Sequence, residues 1–248
     1  MGAKLSGMRL DGAAFMSPID LGAAIWLKRG TGITIATGVS QWDDQSGNGR
    51  HFAQATTTRQ PAYNSGTGVI TFDGTSDYLR LGSSIPNSAT GEIVFVVKFP
   101  AGAIVWSKDA NTTIDADAYT FTRSGTKSRF NKDVTSSNET LSFGDIPATT
   151  WVIVGASNDG LFSNRNRLFL NGQEMTYSKQ GITSWLGAAT RMYIGAGQRN
   201  SGGAETTPIN FGNFDIVDFA MFDGFALNPI QRSRLAAYYR NQYSDLLT

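Results

Sequence analysis

The stretch WDDQSGNGRHF, residues 42–52, gathers residue types that often do chemistry, including two carboxylates and the only histidine of the chain. Asp43, Asp44 and Asn48 offer the hard oxygen ligands that calcium prefers. Their spacing is not that of an EF-hand loop, because no acidic residue follows at the position which that motif requires. Asp, Ser and Asn also hydrogen-bond their own backbone, and the two glycines of the stretch can adopt conformations closed to other residues. We therefore predict a structural turn anchored in the core by Trp42, with calcium binding as the alternative.

Catalytic roles find little support in the residue pattern. His51 has the chemistry of a general base, but the chain has no G-x-S-x-G nucleophile elbow. Asp215 and Asp218, in FDIVDFAMFD, are candidates for a glycosidase pair, which in retaining enzymes needs carboxyl groups about 5–5.5 Å apart. Side chains alternate along a regular strand, so these two should point to opposite faces. We predict that the protein is not an enzyme, with a polysaccharide hydrolase or lyase as an alternative.

A long polar segment, residues 198–210, is a better candidate for ligand binding. It follows the strand-like run MYIGAG and is rich in Gly and Thr, and long loops in compact domains are often functional. Carbohydrate sites on β-sandwiches use amides, carboxylates, an arginine and an aromatic ring on which a sugar stacks. The candidate ligand-binding residues are Gln198, Arg199, Asn200 and Glu205, with Trp106 or Trp185 as the aromatic platform. A loop that is disordered or that contacts another subunit is the alternative.

A second polar segment, SKDANTTIDADAY, is a candidate metal site. It brings together four oxygen-bearing side chains, Asp109, Asn111, Asp115 and Asp117. Four such groups in one loop suit calcium, and they equally suit a solvated turn. We expect that no cofactor is required, with calcium at these four positions as an open alternative.

The elements that must position these residues are predicted to be strands. Short β-branched and aromatic runs alternate with turns among the 28 glycines, a rhythm typical of an all-β sandwich or barrel. The run at 92–99, EIVFVVKF, is apolar on both faces, as in a strand at the centre of packed sheets. Asn171-Gly172 predicts a two-residue hairpin turn. Near the carboxyl end, Asn228 and Pro229 mark the start of a helix. Its predicted apolar stripe comprises Ile230, Arg234, Leu235, Tyr238 and Tyr239.

The composition excludes several classes of partner and site. Lys and Arg total 21 against 20 Asp and Glu, so no charge excess points to nucleic acid or an anionic membrane. The absence of cysteine excludes disulfides, zinc–thiolate sites, iron–sulfur clusters and cysteine nucleophiles. No apolar run approaches membrane-spanning length, and the amino terminus lacks the apolar segment of a secretory signal. We expect a protein that is not inserted in a membrane and carries no secretory signal.

The first residues differ from the rest of the chain. Residues 1–18 lack periodicity, yet they contain Leu5, Met8, Leu10, Phe15 and Met16. So many large apolar side chains in one short segment suggest a contact surface, and such a segment can order when it binds. We predict an amino-terminal arm (1–18) that serves for attachment or oligomer contact, followed by a β-sandwich domain (19–248).

Landmarks between residues 20 and 245 occur in an order that resembles the laminin-G-like, concanavalin A-like lectin and glucanase domain family. They are WDDQSGNG, then FDGTSDYL, Trp151 at the start of a strand, LFLNGQ, MYIGAG, and FDIVDFAMFDGFALNPIQRSRLAAYY. The resemblance implies a jelly-roll β-sandwich of two antiparallel sheets with a short carboxyl-terminal helix. It also implies that WDDQSGNG and FDGTSDYL are mainly structural, with Asp73 and Gly74 in a turn that places Tyr78 and Leu79 in the core.

The resemblance does not select a ligand, because a fold does not fix a function. Similar domains are common in bacteriophage virion proteins. We therefore expect a non-catalytic, virion-associated structural or adhesion protein, made in the host cytoplasm, whose lectin-like domain binds cell-surface glycans. A capsid or tail decoration protein without a glycan ligand is an alternative. Expected partners are a glycan or other virion proteins, in a homo-oligomer or a larger assembly, and not nucleic acid.

Overall fold

In the computed structural model, two antiparallel sheets face each other and one helix packs outside them. The described residues are 15–82, 86, 88, 90–98, 100, 104–109, 118–124, 127–134, 137–147, 149–158, 166–175, 191–197 and 211–247. Only the backbone is described for 104–109, 118–120, 122–124, 127–134, 137–145, 166 and 191.

The first sheet carries the helix on its outer face. Its strands are β1 (Ile25–Leu27), β5 (Ala62–Asn64), β6 (Val69–Asp73), β8 (Gly91–Lys98), β13 (Val152–Asn158), β14 (Asn166–Leu170), β15 (Gln173–Glu174) and β17 (Asn213–Asp223). Within the described residues their order is β15-β14-β13-β8-β17-β6-β5, and β1 also pairs with β17. The predicted central strand, β8, therefore lies between β13 and β17.

The second sheet covers the inner face of the first. Its strands are β2 (Ile33–Ile35), β3 (Val39–Trp42), β4 (Phe52–Ala53), β7 (Leu79–Leu81), β9 (Ile104–Asp109), β10 (Ala118–Ser124), β11 (Lys127–Val134), β12 (Ser137–Asp145) and β16 (Arg191–Ile194). Across the described residues the order is β12-β11-β10-β9-β16-β7-β4-β3-β2. A short 3-10 helix (Thr57–Arg59) precedes β5.

Two hydrophobic cores explain why the central strands are apolar on both faces. In β8, Ile93, Phe95 and Val97 enter the inner core between the sheets. The alternate residues Val94 and Val96 enter the outer core, which lies between the first sheet and the helix. Side chains alternate along a strand, so a strand buried on both sides needs an unbroken apolar run, as the sequence predicted.

One irregularity in β17 changes which side chains share a face. The pairing of β17 with β8 shifts between Ile216 and Asp218, the mark of a β-bulge. Ile216 and Phe219 belong to the inner core, whereas Val217 belongs to the outer core. Asp218 faces the helix tyrosines on the same outer side.

The prediction that Asp215 and Asp218 lie on opposite faces is therefore wrong. Asp215 pairs in register with Thr71, whose neighbours Ile70 and Phe72 belong to the inner core, so Asp215 also faces outward. The extra residue of the bulge restores a common face to two positions that regular alternation would separate.

The helix α1 (Pro229–Gln242) begins as its sequence predicts. The side chain of Asn228 accepts from the backbone of Gln231, and the side chain of Gln231 accepts in return from the backbone of Asn228. This reciprocal capping box satisfies two helix-end donors. The residues that α1 buries are Arg232, Leu235, Ala236, Ala237 and Tyr239.

The predicted apolar stripe of α1 is partly wrong. Leu235 and Tyr239 are buried, but Ile230 is 64% exposed. Arg232 was not predicted to belong to the buried face of α1. It is buried because it pairs with Glu92 inside the outer core.

The hairpin between β14 and β15 is confirmed. Asn171 and Gly172 have φ angles of 53° and 84°, the conformation that a two-residue turn requires. Asn171 also fixes the hairpin to the sheet, because its Oδ1 accepts from the backbone of Ile153 at 3.1 Å.

Among the described residues, none of the helices is long and apolar enough to cross a membrane.

The described end of the predicted arm, residues 15–18, contacts the domain. Met16 packs against the outer core and its sulfur lies 3.8 Å from Arg234 Nη1. Residues 1–14 lie outside the described part of the chain, so the attachment role of the arm stays a prediction.

Candidate functional site

The outer face of the first sheet carries a cluster of polar groups at the end of β8. Lys98 Nζ lies 2.7 Å from Asp215 Oδ2. Thr71 Oγ1 donates a hydrogen bond to Asp215 Oδ1 at 2.6 Å. Three neighbouring strands therefore deliver an ammonium group, a carboxylate and a hydroxyl to one point.

The register of the strands explains this convergence. Asp215 of β17 is the partner of Lys98 on one side and of Thr71 on the other. Each is the outward residue next to inner-core positions, such as Val97 beside Lys98. Directly opposed residues on one face lie close enough to interact, so the pairing alone sets the site.

A cleft opens around these groups; we call it the outer-face cleft. It has a volume of about 260 Å³ and is lined by Lys98, Pro100, Thr149, Asn213, Phe214 and Asp215. The ring of Trp151 stands beside it, with its centre 5.7 Å from Lys98 Nζ. The side chains of Lys98 and Asp215 are 36% and 20% exposed, so both reach solvent. The cleft thus offers hydrogen-bond donors and acceptors beside an aromatic ring, the usual composition of a small-molecule site.

Asp218 is unavailable to a substrate although it shares the outer face. It is 0% exposed, and its carboxyl group accepts hydrogen bonds from Trp26 Nε1 at 3.1 Å and from the hydroxyls of Tyr239 and Tyr243. Burial raises the pKa of Asp218 to about 7, and the hydrogen bonds from the three rings oppose that rise. The Asp218 carboxyl group therefore links β17 to β1 through Trp26 and to α1 through Tyr239, and its role is structural.

A second fully buried carboxylate, that of Glu92, is also structural. Arg232 Nη2 lies 2.8 Å from Glu92 Oε2, and its Nε lies 2.9 Å from Oε1. The guanidinium carbon of Arg232 lies 3.8 Å from the ring centre of Phe169. The backbone of Leu227 also donates to Glu92 at 3.0 Å. This two-point pair fixes the first turn of the helix to β8, because both charges are satisfied where water is excluded.

The loop at 42–52 is structural, as predicted. Asp44 is 8% exposed and accepts from the backbones of Trp26, Ser46 and Arg50 at 2.9, 2.9 and 3.0 Å. Gly47 and the second glycine of the stretch have φ angles of 89° and 67°. The carboxylate that calcium would need is therefore occupied by backbone donors.

The structure also places Trp42 and His51, the two other residues of this loop with a predicted role. Trp42 is 0% exposed in the inner core, which confirms it as the anchor. His51 Nδ1 accepts from the backbone of Asp44 at 3.2 Å and lies 3.2 Å from Asp43 Oδ1. His51 therefore makes its contacts within the loop itself.

The FDGTSDYL segment is also a turn in which an aspartate accepts hydrogen bonds from nearby backbone N–H groups. Asp73 Oδ1 accepts from the backbones of Thr75, Ser76 and Asp77 at 2.7, 2.8 and 3.0 Å. This turn delivers Leu79 to the inner core. Tyr78 is only half-buried and packs against Tyr193 and Phe211, so the prediction that it enters the core is wrong.

Most residues predicted to bind a ligand or calcium lie outside the described part of the chain. These are Gln198, Arg199, Asn200, Glu205 and Trp185, together with Asn111, Asp115 and Asp117. Trp106 and Asp109 lie in β9, where Trp106 pairs with Phe121 and Ile194. In the described ranges, no group of three or more His, Asp or Glu residues is placed to hold a metal.

The residues of the outer-face cleft were missed from sequence. Lys98 lies at the end of an apolar run, and Trp151 was considered only as the start of a later strand. Asp215 was considered only as half of a pair with Asp218. No local motif joins Lys98 to Asp215, because their contact is made only when β8 and β17 pair.

Comparison with known proteins supports the fold. No protein-family model and no curated protein matches the chain. Among solved structures, the binding domain of botulinum neurotoxin serotype G is 17% identical with a TM-score of 0.61, and the match covers 87% of this chain and 51% of that one. The binding domain of serotype C1 is 13% identical with a TM-score of 0.62, over 89% of this chain and 52% of that one.

A third similar structure is the native heptameric SAP-like pentraxin from Limulus polyphemus. It is 20% identical with a TM-score of 0.50, over 68% of this chain and 81% of that one. This chain spans about half the length of the toxin binding domains. At these identities the likeness concerns the fold alone, and it confirms the predicted jelly-roll β-sandwich with a carboxyl-terminal helix.

Proposed function

We propose that this protein is a non-catalytic glycan-binding module whose ligand site is the outer-face cleft. The observation that carries the proposal is the convergence of Lys98, Asp215 and Asn213 on a solvent-facing cleft beside the ring of Trp151. Sugars offer hydroxyl groups to such polar side chains and C–H faces to aromatic and proline rings. Ligand sites are commonly concave and combine apolar surface with a few convergent polar groups.

The carboxylates support a role without turnover. Hydrolysis requires two carboxyl groups that both reach the scissile bond. Asp215 reaches the cleft, but Asp218, its neighbour on the same face, is fully buried beneath the helix. Glu92 is likewise enclosed by Arg232. No second carboxylate among the described residues that line the cleft is available as a general acid.

The structural neighbours agree with a binding role. The toxin structures are binding or receptor-binding domains, and cell entry of botulinum neurotoxin type C depends on interaction with two ganglioside molecules. Because this chain spans about half of those domains, those structures are a guide to the class of function, the binding of a glycan, and not to the site residues or to the charge of the sugar.

We extend the proposal to the setting in which the module works. The predicted amino-terminal arm would attach the domain to a larger assembly, such as a virion, and leave the cleft free to meet a cell-surface glycan. Supporting this, Met16 of the arm contacts Arg234 of α1, and neither residue lines the cleft.

A glycan array with the full chain tests the proposal. We expect binding to a limited set of glycans and no release of reducing ends or unsaturated sugars from any of them. Lys98→Met should weaken binding by about tenfold or more, the equivalent of one good charged contact. Arg80→Met is the matched control, because Arg80 is an exposed cation on β7 of the other sheet. Equal loss in both variants, or turnover that Asp215→Asn abolishes, would refute the proposal.

A further inference from the structure

We infer that the outer-face cleft selects uncharged sugars with neighbouring hydroxyl groups over sugars that carry a carboxylate or a sulfate. This inference rests on the proposed glycan-binding function. It follows from the ion pair that Lys98 and Asp215 already form in the cleft.

The cleft is electrically balanced before any ligand arrives. Of the described lining residues only Lys98 and Asp215 are charged, and their atoms lie 2.7 Å apart. The ammonium group therefore has its counter-ion within contact distance. An acidic sugar would have to compete with Asp215 for Lys98, and would bring its own negative charge next to the carboxylate. Like charges placed together in this way reject the wrong partner.

The same pair is well suited to a neutral diol. An ammonium group has three donors, and each carboxylate oxygen accepts about two hydrogen bonds. Lys98 donates one hydrogen bond to Asp215 Oδ2, and Thr71 donates one to Oδ1. Of two neighbouring sugar hydroxyls, one can donate to a remaining lone pair of Asp215 and the other can accept from Lys98.

The uncharged lining residues fit the rest of such a ligand. Asn213 and Thr149 are exposed and add an amide and a hydroxyl, while Pro100 and the Trp151 ring add apolar surface. None of these groups adds a positive charge that would favour an anion. The selectivity is therefore set by the Lys98–Asp215 pair.

Matched pairs of oligosaccharides that differ only by one acidic residue provide the test, with binding measured by isothermal titration calorimetry on the full chain. We expect the neutral member to bind at least about tenfold more tightly. Its affinity should change little when the salt concentration is raised, because salt screens interactions between charges and the neutral ligand carries none. Asp215→Asn leaves Lys98 without its counter-ion and should reverse the preference in favour of the acidic member.

The outcomes separate this inference from the function on which it rests. Preferential binding of the acidic member that is lost in Lys98→Met would overturn the inference and leave a glycan-binding cleft. An unchanged preference in Asp215→Asn, with an unchanged melting temperature, would also overturn it. Failure of both members, and of every array glycan, to bind would overturn the proposed function itself.

Discussion

Replacing Asp44 with alanine should destabilise the protein strongly, because this one side chain organises the loop at 42–52. Its carboxylate accepts from the backbones of Trp26, Ser46 and Arg50 and from the hydroxyl of Ser46, at 2.8–3.0 Å. Trp26 is 7% exposed, so its N–H would find no water to replace the lost acceptor.

The magnitude follows from those contacts. An unsatisfied buried donor costs about 1–3 kcal/mol, and each remaining bond, being partly accessible to water, contributes about 0.5–1.5 kcal/mol. With mid-range values, one unsatisfied donor and three remaining bonds sum to about 5 kcal/mol for Asp44→Ala. In a chain of this size that loss lowers the melting temperature by about 10–20 °C.

Asp43→Ala is the matched control in the adjacent position. Asp43 accepts from Gln41 at 2.6 Å and lies 3.2 Å from His51, but its side chain is 35% exposed. Exposed contacts of this kind contribute about 1 kcal/mol or less. Thermal unfolding followed by circular dichroism measures both variants. Equal shifts in the two variants would refute a purely structural loop. So would a rise in melting temperature on addition of calcium that Asp43→Ala abolishes, since a ligand bound to the folded state stabilises it.

Three further predictions concern the helix and the arm. First, the pKa of Asp218 is about 7 when folded against 3.8 in its ordinary range, so the folded state keeps a proton that the unfolded chain has lost. The contribution of Asp218 to stability should therefore fall by a few kcal/mol as pH rises from about 4 to about 8. Burial also raises the pKa of Glu92 to about 7 and that of Asp77 to about 6, so urea unfolding of Asp218→Asn should show a shallower slope and not a flat one; a slope equal to that of the wild type would contradict the assignment. Second, Arg232→Met should cost about 3–5 kcal/mol because it strands the Glu92 carboxylate. The double variant with Glu92→Leu should recover much of that loss in the same urea titration, and no recovery would mean that packing outweighs charge. Third, deleting residues 1–14 should leave a folded β domain but abolish oligomers or attachment, and light scattering that finds equal masses for both forms would remove the role of the arm.

Local signals predicted the parts of the fold that local physics controls. Asn171-Gly172 forms the hairpin turn because only residues tolerant of positive φ fit it. Asn228 caps the helix because the next backbone donors need an acceptor. The two-faced apolar run of β8 predicted burial on both sides, and the two cores bear that out.

The sequence was least informative where contacts are long-range. The bulge in β17 has no signal in FDIVDFAMFD, and it places Asp215 and Asp218 on one face. The burial of Arg232 depends on Glu92, which is far away in the chain. The outer-face cleft likewise depends on the register between β8 and β17. The bulge, the burial of Arg232 and the cleft all depend on contacts between residues that are distant in the chain. A short stretch of sequence therefore cannot predict them.

The location of a bound sugar tests the central claim most directly. A crystal structure of the full chain with the tightest-binding array glycan should place a sugar ring in the outer-face cleft, with hydroxyls on Lys98 and Asp215. The residues of the loop at 198–210 offer the competing location. A sugar held there, with the cleft empty and Lys98→Met without effect on affinity, would contradict the account.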